Sequence, residues 1–274
     1  LMNEVVVVGY GTQKKVNLTG AIATVGTEQL VQAHRPNLSS ALAGNLPGIR
    51  SVQKSGRPGE DGATDLDIRG FGSALVIVDG VESDYKSIDP NDIESINVLK
   101  DASAAVYGFK GANGVILVTT KKGKEGKAKV NYSFNMALQS ATRMVEVMDA
   151  VEYMTYMNES NANRGLSEAF SPDVIQEVAN GTSKQYFNTD WNDLVMRKNA
   201  PMQTHNINVS GGSGKFRYFT SFGYLHQDGI VRTNDTYERL NVRSNLSMDI
   251  IENLTADLNL SARRENRHSP VAIG

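Results

Sequence analysis

The chain has 274 residues, 28 Lys and Arg against 30 Asp and Glu for a formal net charge of -2, and no cysteine. A near-neutral chain carries no electrostatic footprint for a nucleic-acid backbone, so that partner is set aside. The lack of cysteine excludes a disulfide scaffold and a thiolate metal site. Hydrophobic residues make up 40% and charged residues 21%, the balance of a folded domain rather than a disordered chain.

No apolar run approaches the roughly 20 residues of a membrane-spanning helix. The longest, residues 74–78 and 115–118, are strand-sized. Leu1 leads directly into Asn3-Glu4-Val5, without the basic segment and apolar core of a signal peptide. The expectation is either a cytoplasmic chain or an internal fragment of a longer precursor. A mean hydropathy of -0.33 does not argue against a membrane β-barrel, whose strands face lipid with alternate residues only.

The first stretch, residues 1–17, opens Glu4-Val5-Val6-Val7-Val8 and turns at Gly9-Tyr10-Gly11. Four successive valines have β-propensity and no helical period. Two readings stand: a buried first strand, or an exposed segment that pairs with a partner's sheet edge by β-augmentation.

The second stretch, residues 18–122, reads as a small α+β domain. Asn37 is placed to cap a short helix carrying Leu38, Ala41 and Leu42, ended by Pro47-Gly48. Strands are expected at 49–53, at 66–69 before the turn Gly70-Phe71-Gly72, and at 75–78 before the turn dipeptide Asp79-Gly80. Residues 93–98 suit a strand with mixed faces. Asp101 is placed to cap a helix through Ala102, Ala104, Ala105 and Val106 that stops at Gly108. The strand 115–120 follows, then the polar run Lys121-Lys122-Gly123-Lys124.

The third stretch, residues 123–274, changes period. Val130, Tyr132, Phe134, Met136 and Leu138 alternate with polar or small residues. The pattern returns at Phe216–Tyr224, at Leu240–Ile250 and at Leu254–Ala262, with a shorter copy at Ile207 and Val209. Each long copy is about the 9–11 residues of a tilted membrane strand. The intervening faces carry Asn, Asp and Arg, as a barrel lumen does. Tight connections at 211–214 and 251–253 alternate with longer ones at 227–237 and 140–204. Within the longest, helices are expected near 149–158, with Asp149 and Glu152 as a capping box, and near 172–178.

Catalytic motifs fail on inspection. Lys14 stands where a dinucleotide fingerprint after Gly9-Tyr10-Gly11 needs its third glycine. Around Gly214-Lys215, Val209 and Phe216 replace residues a P-loop requires. His34, His205, His226 and His268 have no metal-ligand spacing, and no Gly-x-Ser-x-Gly elbow occurs. No enzyme activity, metal or cofactor is expected.

The segment Glu4–Lys15, the pieces Leu66-Asp67-Ile68-Arg69-Gly70 and Val76-Ile77-Val78-Asp79-Gly80-Val81, and above all residues 88–121 closely resemble SusC/RagA-type TonB-dependent outer-membrane transporters. That last block contains Ile88-Asp89-Pro90-Asn91-Asp92-Ile93-Glu94-Ser95-Ile96, then Tyr107-Gly108, Gly111 and Gly114. Asp190-Trp191 and Val209-Ser210-Gly211-Gly212 are also similar to the family.

The resemblance implies an α+β plug domain (18–122) followed by antiparallel membrane β-barrel strands (123–274), with an extracellular loop at 140–204. It implies TonB, a SusD-like lipoprotein and outer-membrane lipid as partners, and an oligosaccharide or peptide as cargo, in a Bacteroidetes-type outer membrane. It places a TonB-box-like handle at Glu4, Val5, Val6, Val7 and Val8, and plug-motif positions at Ile68, Arg69, Gly70, Asp79, Gly80, Gly108, Gly111 and Gly114. Barrels of this class close with about 22 strands, and about five are visible here, so an incomplete barrel is expected. The rival readings are a soluble β-rich binding module and a TonB-linked signalling receptor.

Overall fold

The computed structural model describes residues 5–8, 11–14, 22–27, 30, 42, 46, 49–50, 56–60, 67–68, 72, 74–83 and 88–270. The expected Asn37 helix, apart from Leu42, and the residues Glu4, Arg69, Gly70 and Phe71 lie outside them. Two compact units divide the chain: Leu1–Ala137 with Pro201–Asp228 and Thr236–His268, and Leu138–Ala200 with Gly229–Asp235 and Ser269–Gly274.

In the first unit, β1 (Val5–Val8) and β2 (Gly11–Lys14) form an antiparallel two-stranded sheet with Val5 opposite Lys14 and Val8 opposite Gly11. Strands β3 (Ile22–Gly26), β4 (Ile49–Arg50), β5 (Asp67–Ile68), β6 (Leu75–Val78), β7 (Val81–Glu82), β8 (Ile93–Leu99) and β9 (Val115–Thr120) follow. Strand β4 pairs with β5, and the others make one sheet in the order β3-β8-β9-β6-β7.

Inside that sheet β6 runs parallel to β9, whereas β8 runs antiparallel to both β3 and β9. The apolar runs Leu75–Val78 and Val115–Val118 show no alternation because both faces are covered. Val76, Val78, Ile96, Val98, Ile116 and Val118 pack into one core with Val25, Leu42 and Ile68. Ile77, Leu99, Val115 and Leu117 pack into a second core with Ala104. The mixed faces read in residues 93–98 have the same cause: Ile96, Asn97, Val98 and Leu99 are all buried in a central strand.

The helix expected from Asp101 is a 3-10 helix, Asp101–Gly111. Its N-cap is Lys100, not Asp101, and the Ser103 hydroxyl does the capping: it accepts from Lys100 N–H (3.1 Å) and donates to the Lys100 carbonyl (2.6 Å). The expected stop at Gly108 holds: its φ/ψ (61°, -148°) are non-helical, so the turns that start at Asp101 end at this kink and a second short helical piece runs on to Gly111.

The same unit contains the long strands β10 (Gly126–Gln139), β11 (Ala200–Ser213), β12 (Phe216–Asp228), β13 (Thr236–Ile251) and β14 (Leu254–His268), paired as a meander in that order. They run 13 to 16 residues, longer than the 9–11 expected. The regular alternation read in the sequence covers only part of each strand; pairing continues into segments where the apolar face changes to His226, Glu238 or Arg264. Strand β11 is full length although only Ile207 and Val209 marked it, because His205 and Gly211 occupy the flanking positions of the same face.

Register sorts the two faces. Ile207, Phe222, Val242 and Ala262 lie side by side across four strands, and the adjacent rung is Asn208, Ser221, Arg243 and Ser261. One face is therefore apolar and outward: Val130, Tyr132, Phe134 and Met136 are at least half exposed, as are Leu258 and Leu260. The other face is polar and joined by ion pairs such as Arg217–Asp249 (2.8 Å).

In the second unit, α1 (Ala150–Asn163) is closed by the expected capping box: Glu152 N–H donates to Asp149 Oδ1 (2.7 Å) and Asp149 N–H to Glu152 Oε2 (3.2 Å). The Glu152 amide and the Asn188 side chain hold the Asp149 carboxyl below its usual range. Helix α2 (Pro172–Ala179) is capped by Ser171, and the short α3 (Trp191–Val195) by Asp190. Asn158 on α1 fixes the link to α2, donating to Phe170 O (2.6 Å) and accepting from the Ala169 and Phe170 amides.

The plug sheet depends on its central apolar residues. Truncating fully buried Ile116 to Ala should cost about 2–5 kcal/mol. Native-state hydrogen exchange should show faster opening across β8 and β9, and unaltered protection there would contradict the two-core description.

Candidate functional site: the buried polar seam of the first unit

The first unit has one apolar-cored sheet and one wall of long strands, and where they meet a cluster of buried polar groups lies beside the buried Phe219, Leu225 and Tyr237 of the wall. The sheet side is built by two turns. Asp79 and Gly80 both have positive φ (49° and 90°), the conformation of a tight two-residue hairpin, here joining β6 to β7. The strained Asp79 backbone is held by its own carboxylate, which accepts from Thr120 N–H (2.9 Å) and Thr120 Oγ1 (2.6 Å) at the end of β9. The second turn is the 3-10 segment Pro90–Asp92. Asp89 caps it, its Oδ1 accepting from the Asn91 backbone and side-chain amides (2.9 Å each). Lys121 then closes the frame, donating its N–H to Asp92 O (2.8 Å) and its ammonium to Asn91 O (2.7 Å).

The wall side is one row of β13 with its neighbours on β12. Asn245 Nδ2 donates to Thr120 Oγ1 and to Lys121 O, each at 2.8 Å. Asn241 Nδ2 reaches Asp89 Oδ2 at 3.4 Å. Arg243 lies between two carboxylates, Nη1 3.8 Å from Asp79 Oδ2 and Nε 3.8 Å from Asp92 Oδ2. Those separations allow ionic attraction but exceed hydrogen-bonding distance. Gly223 on β12 makes the approach possible: a Cβ there would lie 2.6 Å from Asp89 Oδ2.

Three carboxylates thus share the seam with Arg243 and Lys121. Burial, and next the Asp89 charge, push Asp92 up to about 6 against the opposing pull of Ser221, Arg243 and Lys121. Burial also lowers Lys121 from its ordinary value, with Asp92, Asp89 and Glu94 partly offsetting it. Among the described residues, Asp92 Oδ1, Asn241 Oδ1 and Asn245 Oδ1 have no hydrogen-bond partner although buried. The seam is therefore only partly satisfied, and each unsatisfied polar atom weakens it by about 1–3 kcal/mol.

Of the positions singled out in the sequence, Asp79 and Gly80 sit in the seam's first turn. Ile68 and Gly114 lie behind it in the core: Ile68 is buried, and a Cβ on Gly114 would meet Ile68 Cδ1 at 2.6 Å. Gly108 and Gly111 shape the 3-10 helix away from the seam. Val5–Val8 form β1, apart from both larger sheets. Sequence reasoning did not find Arg243, Asn241, Asn245 or Gly223. The available signal was the Asn241, Arg243, Asn245 alternation on β13, read as a lumen face without identifying which of its residues meet the plug.

Residues 14–115 match the family model for the TonB-dependent receptor plug domain. The chain is 36% identical over 267 residues to TonB-dependent receptor P26 of Formosa agariphila, covering 92% of this chain and 26% of that protein. It is 33% identical over 270 residues to TonB-dependent receptor SusC of Bacteroides thetaiotaomicron, covering 92% and 25%. It superposes on a chain of the RagAB peptide importer in its open-open state with a TM-score of 0.79 at 27% identity, covering 98% of this chain and 33% of that one. The chain spans about a quarter of the length of the curated relatives it matches. With a plug-domain match in the sheet that carries the seam, and a fold shared through the long strands, the chain belongs to the SusC/RagA family of TonB-dependent outer-membrane transporters, of which it comprises the plug and the first barrel strands.

Proposed function

We propose that the complete protein imports large nutrients, glycans or peptides, across the outer membrane with TonB and a SusD-like lipoprotein, and is not itself an enzyme. In this reading residues 1–17 hold the TonB-contacting segment, 18–122 the plug, and 123–274 the opening strands of the wall with the extracellular loop 140–204. The observation that carries it is the contrast between surfaces of the first unit. The plug sheet has two dry cores, its seam with the wall is polar and partly unsatisfied, and the far face of the wall is apolar and exposed. A soluble module would not present that outward face, since soluble monomers rarely expose apolar patches larger than a few hundred Å2. A plug that must yield to a pull requires a seam weaker than its own core.

The pull is assigned to Glu4, Val5, Val6, Val7 and Val8. Proline at Val6 or Val7 removes a backbone donor from a strand that would pair with TonB. In the full-length transporter, V6P and V7P should reduce co-purification with the C-terminal domain of TonB at least about tenfold, or roughly 1.4 kcal/mol. Uptake should fall in parallel while the amount of protein in the outer membrane stays the same. Undiminished TonB binding would move the handle elsewhere.

Asp92 makes the seam pH-dependent. Its pKa when docked, about 6, lies above the ordinary aspartate value of 3.8, so the docked state binds the proton more tightly than the released state. The contribution from Asp92 is complete below about pH 4 and is lost as pH rises through about 6. In the full-length protein, hydrogen-exchange protection at the seam should rise between pH 7.5 and pH 5. D92N, which mimics the protonated carboxyl, should raise protection at pH 7.5 and flatten the dependence. Equal pH slopes in parent and variant would remove Asp92 from the seam's energetics.

A further inference from the structure

Beside the seam lies a cavity of about 820 Å3, bounded by the plug and by the first wall strands. Its volume falls in the roughly 300–1,000 Å3 range of pockets that hold small-molecule ligands. Five lysines line it against two glutamates, Glu94 and Glu125. Three of the lysines are engaged: Lys121 with Asn91 O at 2.7 Å, Lys122 with Asp257 at 4.0 Å, and Lys124 with Glu94 at 3.8 Å. The other two, Lys127 and Lys129, have no ion-pair partner among the described residues. Strand alternation puts them in one row with Asn131 and Ser133 on the chamber side of β10, while Ala128 and Val130 occupy the opposite face.

A second feature points the same way. Asn131 Nδ2 donates to Asn208 Oδ1 (3.1 Å), and Asn208 Nδ2 donates to Asn206 Oδ1 (3.2 Å). The relay ends at Asn206, a chamber-lining residue only 2% exposed, whose Nδ2 has no acceptor. That amide is buried toward Gly223 on β12, so what the chamber offers a solute is the row of ammonium groups with the exposed Asn131 beside them, and its unmet demand is for oxygen acceptors carrying negative charge.

We propose that this chamber is an anion-selective binding site that takes the carboxylate or sulfate-ester groups of an anionic solute. Lys127 and Lys129 supply the charge complement, and Asn131 in the same row of β10 supplies an exposed amide beside them. The proposal deepens the import reading by naming a cargo class and rests on that reading only for the identity of the solute. Binding at the chamber can be measured on purified transporter without TonB, so its failure is distinct from a failure of uptake.

This chain contains no cysteine, so a single S133C substitution in an otherwise cysteine-free full-length transporter reports on the chamber alone. Its modification rate is measured with an anionic thiosulfonate carrying a sulfonate and with the cationic trimethylammonium analogue, each relative to a free thiol. The anionic reagent should be favoured by about tenfold, the lower end of electrostatic focusing in a charged cleft. The preference should shrink in 0.5 M salt and in the K127Q/K129Q double variant. A protection arm identifies the source of the anion: trigalacturonate, a sulfated disaccharide and triglutamate are each added at millimolar concentration. Slowing by any of these names the class of cargo. A preference equal to that of a free thiol, one that survives loss of both lysines, or no protection by any of the three compounds would overturn the proposal.

Discussion

The constraint on which the first unit depends is the burial of Asp79, Asp89 and Asp92 against a strand that offers one guanidinium and two amides. Carboxylates can be buried only when charge and hydrogen bonds compensate them. Thr120 and Asn91 supply compensation from the plug itself, which is why the two turns exist in their observed form. The positive φ of Asp79 is tolerated because its side chain is held by Thr120, and the Pro90–Asp92 turn is closed by Asp89. Arg243 contributes from the wall. Removing it would leave two buried carboxylates without their nearest wall cation, the situation that costs about 3–5 kcal/mol in buried ion pairs. Gly223 belongs to the same constraint, since any side chain there would occupy the space of the Asp89 carboxylate.

The energetics of core and seam differ in kind. The plug sheet buries apolar side chains on both faces, where each deleted methylene group is felt through lost contacts and a residual cavity. The seam instead joins groups that water can satisfy equally well once they separate. Its Arg243 contacts are long and several of its acceptors are unused. A force applied to the chain would therefore meet less resistance at the seam than within either core. That difference follows from side-chain chemistry alone: Asn, Asp and Arg at the boundary, and Val, Ile and Leu behind it.

Much of this fold was legible in the sequence because its signals are local. The Asp79-Gly80 turn, the Asp149/Glu152 capping box and the period-two runs of β10, β12, β13 and β14 each depend on residues a few positions apart. Other features were hidden for physical reasons. Strand β8 alternates poorly because both its faces are buried. Strand β11 was marked too short because His205 and Gly211 interrupt its outward face, and the helix start at Lys100 was obscured because capping falls to Ser103 instead of Asp101. The seam was the least visible. Asn241 and Asp89 are separated by 152 residues, and Asn245 and Thr120 by 125, so no spacing rule connects them. The sequence displayed both polar sets, one as a family motif and one as the lumen face of a strand, and the resemblance implied that plug and lumen meet without indicating which residues pair.

The small β1–β2 sheet fits the same logic of reserved weakness. A two-stranded hairpin with no further strand is marginally stable in water. Its register already satisfies one edge of Val5–Val8, through pairing with Gly11–Lys14. A strand added by a partner would use the remaining ladder edge without dismantling the hairpin and would extend the sheet to three strands. Four successive β-branched residues suit that role, because their backbone is already extended before a partner arrives and less conformational entropy is lost on pairing. In the proposed reading such a handle would present an already extended strand to the partner that pulls it, while the seam to be opened is held by polar contacts that separate into water.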